Sequence, residues 1–395
     1  MEFSLSEEQQ MLRDSVERFL EKNYSHELRR EMVANRQAMS EEVWQGFASL
    51  GLLGVPFDDE YGGFGGGGIE TMLVMQALGR HLVLEPYLST VVLAGALVDL
   101  GAADWQKKIL VNGVVDGSML LAFAHAEKEA RFDAGYVGTR ATVDGNNWVI
   151  EGTKTLVLQG SVAEKLIVSA RTSGEPGDRD GVSLFIVECE EESLGGQEYP
   201  LFDGTRALDV QFNAVRVGPE SLIGTLNGAM PLIEIATDRA TAALCAEAVG
   251  AMETLYEMTL EYLKTRQQFG VAIGRFQALQ HRAVEMLINL EEARSMAILA
   301  AGKVDSDDAF ERRRSVSAAK ALIGRAGRYV GQQAIQLHGG MGMTDELPVG
   351  AYVKRLAAID VLLGDAAYQR AQFAGLREED APAGFAQPRK AWKQI

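Results

Sequence analysis

Apolar positions along the chain follow a helical period, then a two-residue period, then a helical period again. In the first stretch, Ser6 stands before Glu8, Gln9 and the run Met11, Val16, Phe19 and Leu20, the pattern of a capped helix start. Ser40, followed by Glu41, Glu42, Val43, Trp44, Phe47 and Leu50, predicts another. Tyr61-Gly62-Gly63-Phe64-Gly65-Gly66-Gly67-Gly68 predicts a loop, because glycine at this density sustains neither helix nor strand. No strand pattern precedes it and no Lys-Ser/Thr pair closes it, so a flexible connector is expected rather than a phosphate cradle.

From about residue 121 short alternating runs take over. Residues 139–143 and 148–150 flank Asp144-Gly145-Asn146-Asn147 and predict a hairpin. Residues 166–170 and 182–187 read as strands on either side of a Gly- and Pro-containing loop, and residues 210–217 alternate as a half-buried strand does. From about residue 228 spacings of three and four return, first in Val249, Met252, Tyr256, Leu260 and Leu263. Met286, Leu290, Ala293 and Ala297 repeat the stripe, and so do Ala319, Leu322, Ala326 and Val330. The expected fold class is α+β: an N-terminal helical domain (1–120), a middle β domain (121–225), a C-terminal antiparallel four-helix bundle (226–376) and a polar tail (377–395).

A length of 395 residues suits two or three packed domains, and 47% apolar with 24% charged residues is the composition of a globular protein. The net charge of −17 argues against nucleic acid and anionic membrane surfaces, but not against an anionic small molecule held by a few local arginines. Cys189 and Cys245 form no CxxC pair or disulfide framework, which fits a reducing compartment. The acidic N-terminus has no signal-peptide core, and no apolar run approaches the roughly 20 residues of a membrane span. A cytoplasmic protein is expected.

None of His26, His81, His125, His281 and His338 follows a glutamate by three residues, and no HExxH or nucleophile-elbow pattern occurs, so no metal or hydrolase site is expected. Two segments of the bundle stand out: Arg266-Gln267-Gln268-Phe269-Gly270 with Phe276-Gln277, and Gln336-Leu337-His338-Gly339-Gly340-Met341-Gly342. Read plainly, Gly270 and Gly339 cap helices. Clustered glycines also let a ligand approach the backbone, and a planar guanidinium suits a pyrophosphate.

These segments resemble the Arg-x-x-Phe-Gly…Gln and Gln-x-x-Gly-Gly-x-Gly motifs of acyl-CoA dehydrogenases. Gly152-Thr153-Lys154 with Gly160 and Ala163-Glu164 resembles the family's Gly-x-Lys stretch, and Pro56, Tyr61, Gly62 and Gly63 its Pro…Tyr-Gly-Gly. The resemblance implies FAD in a pocket shared between subunits. Arg266, Phe269, Gln277, Gln336, Leu337, Gly339 and Gly340 would then hold the adenosine diphosphate part of a neighbour's cofactor. It also implies α,β-dehydrogenation of an acyl-CoA thioester, with a carboxylate as base, and an electron-accepting flavoprotein as partner.

The resemblance fails on one side of the site. Leu363 stands where the family usually has its glutamate base, and Ala240 occupies the alternate position on the earlier helix. Residues 126–132 replace the family's Thr-Glu-Pro stretch, and Leu156 and Leu158 replace its flavin-packing Trp and Thr. The catalytic residue is therefore left unassigned. The chain is similar to the small subunit of pimeloyl-CoA-type dehydrogenases and to heteromeric dehydrogenases of steroid side-chain breakdown, which implies a base-lacking subunit working with a paralogous partner. Two alternatives remain. One is a homo-oligomer using a displaced carboxylate, Asp365, Asp238 or Glu247, for which capping and salt-bridge roles are the plainer readings. The other is a non-catalytic structural partner.

Overall fold

Ser6 and Ser40 do what their positions predict. Each hydroxyl accepts the amide three residues on, opening α1 (Glu7–Asn23) and α3 (Glu41–Ser49), and Gln9 reaches back to complete the capping box on α1. The computed structural model describes residues 5–190 and 193–376, so the polar tail at 377–395 lies outside the described residues. Between and after these helices come α2 (His26–Ala34), α4 (Gly68–His81), α5 (Ala96–Gly101) and α6 (Asp104–Val115), with a π-type stretch over Tyr87–Gly95.

The glycine-rich segment is an ordered strip rather than a flexible connector. Phe64, Gly65 and Gly66 amides donate to the Gly54, Phe57 and Val55 carbonyls. A Cβ on Gly63 would lie 2.0 Å from the Phe57 carbonyl oxygen, so glycine is required for the two backbones to touch. Glu70 and Asp305 take the Gly67 and Gly68 amides, so neither is free to hold a phosphate.

The middle region carries β1 (Leu121–Ala124), β2 (Arg140–Asp144), β3 (Asn147–Leu158), β4 (Lys165–Arg171), β5 (Val182–Glu188), β6 (Leu194–Pro200), β7 (Arg206–Val217) and β8 (Leu222–Ile223). They form one sheet in the order β6-β7-β3-β2-β4-β5-β8, with β1 parallel to β4. The hairpin forms with Asp144 paired to Asn147. The β3–β7 ladder shifts register on both sides of the Gly152–Lys154 motif, and such bulges re-aim side chains. Here Lys154 turns wholly inward, its Nζ donating to Glu127 Oε1 (2.8 Å), Ser169 Oγ (3.0 Å) and the His125 carbonyl (3.1 Å). Glu127 also accepts the Gly138 and Thr139 amides, which pins the loop after β1.

The C-terminal helices are α7 (Met230–Thr265), α8 (Gln277–Lys303), α9 (Ala309–His338), α10 (Val349–Val361) and α11 (Ala366–Gly375). Their apolar stripes, including Met252, Met286, Leu290, Ala319 and Val330, meet in one core. Helix α4 crosses α7 at backbone contact, since Cβ atoms on Gly79 and Gly250 would sit 2.0 Å and 1.9 Å from the Glu247 and Gln76 carbonyl oxygens. Beside this crossing Arg355 of α10 donates twice to Glu247, at 2.5 and 2.8 Å, and once to Asp203 at 2.7 Å. Arg29 of α2 donates to the Asp203 carbonyl (2.6 Å) and the Leu82 carbonyl (2.9 Å). All four side chains are buried, so one polar cluster ties the helical, β and bundle domains together.

Two measurements test these contacts. Arg355→Leu strands two buried carboxylates and should cost roughly 3–5 kcal/mol, read as a large fall in the denaturation midpoint. Burial, then the Lys154 charge, pushes the His125 imidazole down to about 3. An unfolded histidine takes its proton near pH 6.5. His125 thus contributes stability at neutral pH that is lost progressively as pH falls from about 6.5 towards 3. Its ring resonances should stay flat from pH 8 to about 4, and a transition near 6.5 would contradict the neutral ring.

Candidate functional site

Two sites emerge, at opposite ends of the sequence motifs' logic. The first lies where α7 and α9 both end and α8 begins. Tyr262, in the last turn of α7, packs its ring 4.6 Å from that of His338, the last residue of α9, so the two motif segments meet at one end of the bundle.

Between α7 and α8 the chain makes a small hairpin, β9 (Gln267–Gln268) and β10 (Val271–Ala272). Its two turn residues, Phe269 and Gly270, both have positive φ (53° and 77°), the requirement of a type I′ turn. Gly270 is therefore a hairpin residue and not the helix cap expected of it; α7 ends at Thr265, and Arg266, which caps it, has an extended backbone. Phe269 is a bulky residue in a left-handed conformation and is 91% exposed. Arg266, Gln277, Gln336, Gly339 and Gly340 are also exposed, while Leu337 is buried and anchors the turn.

Gly339 does cap α9, donating to the Gln336 and Ile335 carbonyls with φ 59°. Gly340 has no positive φ, and among the described residues a Cβ there would meet no atom within 4 Å. Gln277 is the first residue of α8, and no side chain caps that helix, which leaves its positive end open to an anion. That open helix end was not singled out in the sequence. The absence of Ser, Thr, Asp or Asn at Phe276 is the signal that could have shown it.

The second site is a cavity of about 440 Å³ between the β domain and the bundle. Leu156 and Leu158, aimed by the β3 bulge, share its wall with Leu363, Phe132 and Tyr368. Leu363 follows α10 with φ 56°, so this apolar side chain faces the space from a strained backbone. Ala240 is buried, while Thr237, Asp238 and Thr241 of the same helix reach the cavity.

The three displaced-carboxylate candidates separate clearly. Glu247 is held by Arg355 and lies outside this cavity's lining. Asp365 caps α11, accepting the Ala367 and Tyr368 amides at 3.0 and 2.8 Å. Asp238 does line the cavity, with Arg312 donating to it at 2.9 Å; burial raises its carboxyl above the usual range, against the pull of Arg312. The three do not come together. Among the described residues no group of three or more potential metal-binding side chains forms, and no helix is long and apolar enough to cross a membrane.

For FAD, the bundle end offers a guanidinium, an uncapped helix N-terminus and open backbone, a donor set that fits a pyrophosphate and adenosine. The cavity carries Leu156, Leu158 and Leu363 in its wall beside polar side chains such as His125, Thr241 and Gln369.

The chain matches three domain families in order: acyl-CoA dehydrogenase N-terminal domain (residues 6–118), middle domain (122–215) and C-terminal domain (231–375). It is 30% identical to the acyl-CoA dehydrogenase FadE12 of Mycobacterium tuberculosis over 364 residues, covering 90% of this chain and 93% of that one. Its fold is similar to butyryl-CoA dehydrogenase from Megasphaera elsdenii (TM-score 0.88, 25% identity, 95% and 99% of the two chains). It is similar also to a chain of the ChsE4–ChsE5 complex from Mycobacterium tuberculosis (TM-score 0.85, 25% identity, 95% and 98%). Three consecutive domain matches over nearly the whole described length, on a helical–β–helical fold, place the chain in the acyl-CoA dehydrogenase family of FAD-using oxidoreductases.

Proposed function

We propose that this chain is the base-lacking subunit of a heteromeric FAD-dependent acyl-CoA dehydrogenase, and that its bundle end completes the cofactor site of a paralogous partner carrying the base. The observation that carries this reading is the contrast between the two sites. Leu363 fills the wall position expected for the base, and leucine cannot accept a proton. The residues expected to hold the nucleotide, by contrast, are all present, and all but the buried Leu337 are exposed.

Phe269 supports the shared pocket. Its ring touches Phe276 edge-on and is otherwise held in water on a left-handed turn, and a subunit docked there would bury it. Gly340 agrees with this, since nothing among the described residues excludes a side chain at that position. Val284, Leu287 and Ile288 add an exposed apolar stripe on α8, opposite the face that Met286 and Leu290 bury. An uncovered stripe beside the cofactor residues suits a subunit contact.

When bound, FAD supplies the electron acceptor for α,β-dehydrogenation. In this chain Arg266 and the open start of α8 at Gln277 would neutralise the pyrophosphate. Gln336 and the Gly339–Gly340 backbone would present hydrogen-bonding groups to the adenosine side, and Phe269 would shield it from water.

The test is flavin retention. Arg266→Ala in the purified complex should release most of the bound FAD while leaving each chain folded, because Arg266 is exposed. Unchanged flavin content would reject the shared pocket.

One observation favours a second reading, in which this chain is catalytic: Asp238 faces the cavity with its carboxyl raised by burial. Asp238→Asn decides between the two. If the base belongs to the partner, kcat should fall less than about tenfold; if Asp238 is the base, the loss should be about 10²–10⁴-fold.

A further inference from the structure

Behind the large cavity lies a second, smaller chamber of about 50 Å³, room for a water or a small terminal group. The two spaces share Ser89, Leu158 and Leu362 as a common wall. Into this chamber face Glu85 and Gln159, each 6–7% exposed. Glu85 Oε2 and Gln159 Oε1 are the buried side-chain oxygens for which, among the described residues, no donor lies within hydrogen-bond distance. The rest of each side chain is engaged. Glu85 Oε1 accepts the Ser40 amide at 3.1 Å, and Gln159 Nε2 donates to the Leu84 carbonyl at 2.6 Å and the Ala38 carbonyl at 3.3 Å. Two carbonyl partners require the amide nitrogen on that side, so the oxygen must face the chamber.

A buried acceptor without a donor costs free energy; with the chamber empty the proton that burial keeps on Glu85 offsets that cost, and an entering donor would take its place. Arg355 lines the same chamber, but its donors serve Glu247 and Asp203. Arg206 is engaged by Glu198. Neither guanidinium is directed at the pair by a hydrogen bond, and the wall facing the substrate-sized cavity is one serine and two leucines.

We propose that Glu85 and Gln159 form an acceptor pair that receives a hydrogen-bond donor, a hydroxyl or an amine, at the far end of the substrate's acyl group. The proposal rests on the acyl-CoA reading and names the acyl group's chemistry: a chain ending in a donor rather than a methyl. Burial pushes the Glu85 carboxyl up to about 7, against the Ser40 amide and the nearby Tyr24 hydroxyl. A donor pairing with Oε2 favours the charged form, so binding should draw off the proton that burial holds.

The experiment compares binding of matched pairs of acyl-CoA esters, methyl-terminated and ω-hydroxylated, across a chain-length series, to the purified flavin-containing protein with whatever subunits accompany it. At one length the hydroxylated ester should bind at least about tenfold tighter. Glu85→Gln, which keeps an acceptor for the Ser40 amide but turns the second oxygen into a donor, should abolish that preference without lowering the unfolding midpoint. The wild-type comparison is decisive even if the variant folds poorly. Equal binding of both esters at every length means the chamber holds only water: the proposal is overturned and the acyl-CoA reading survives. Binding of neither ester overturns both.

Discussion

The Arg355 guanidinium is the contact on which the rest of the architecture depends. Taking three charged side chains out of water is costly, and the cost is offset only when geometry is good and the remaining donors are satisfied. Here the fork of Arg355 meets Glu247 with two bonds and Asp203 with a third, while Arg29 takes the Asp203 backbone. Burial works against the charge on Arg355, but the two carboxylates more than restore it; burial likewise opposes ionisation of Asp203, and Arg355 overcomes it. Glu247 comes from the bundle, Asp203 from the β6–β7 turn and Arg29 from the N-terminal helices. The cluster lies beside the crossing where α4 and α7 touch backbone to backbone at Gly79 and Gly250. The three domains are thereby locked in one arrangement, and the spaces between them become the cavity and its side chamber.

That arrangement divides the chemistry. The end of the bundle is polar, open and carries an unsatisfied helix terminus, features that make sense against a ligand or another chain. The interior cavity has Leu156, Leu158 and Leu363 in its wall, beside polar side chains such as Asp238 and Thr241. A family defined by a shared cofactor pocket can lose one half of the site in one chain, provided a partner keeps it.

Much of this was legible in the sequence, for identifiable reasons. Ser6 and Ser40 were readable as helix starts because capping is a local interaction. The stripes of α7, α8 and α9 were readable because a buried helix face imposes its own period. The edge strand β6 was not, because Leu194-Gly195-Gly196-Gln197-Glu198 has poor strand propensity and owes its conformation to pairing with β7. The four-residue, wholly buried β1 is too short to show a period. The glycine strip at residues 62–67 was misread as flexible because its partner backbone, though near in sequence, leaves no pattern of its own. Gly270 was misread as a helix cap because a cap and a I′ turn both demand positive φ. Glu247 could be suspected as a base only while Arg355, more than a hundred residues away, was out of view.

The most direct measurement is flavin content per chain together with native mass, for this protein alone and after co-expression with a paralogous acyl-CoA dehydrogenase chain. The account predicts little flavin on the isolated protein and about one FAD per pair of unlike chains in an active mixed complex. A homo-oligomer of this chain alone, holding one FAD per chain and oxidising an acyl-CoA ester, would contradict it.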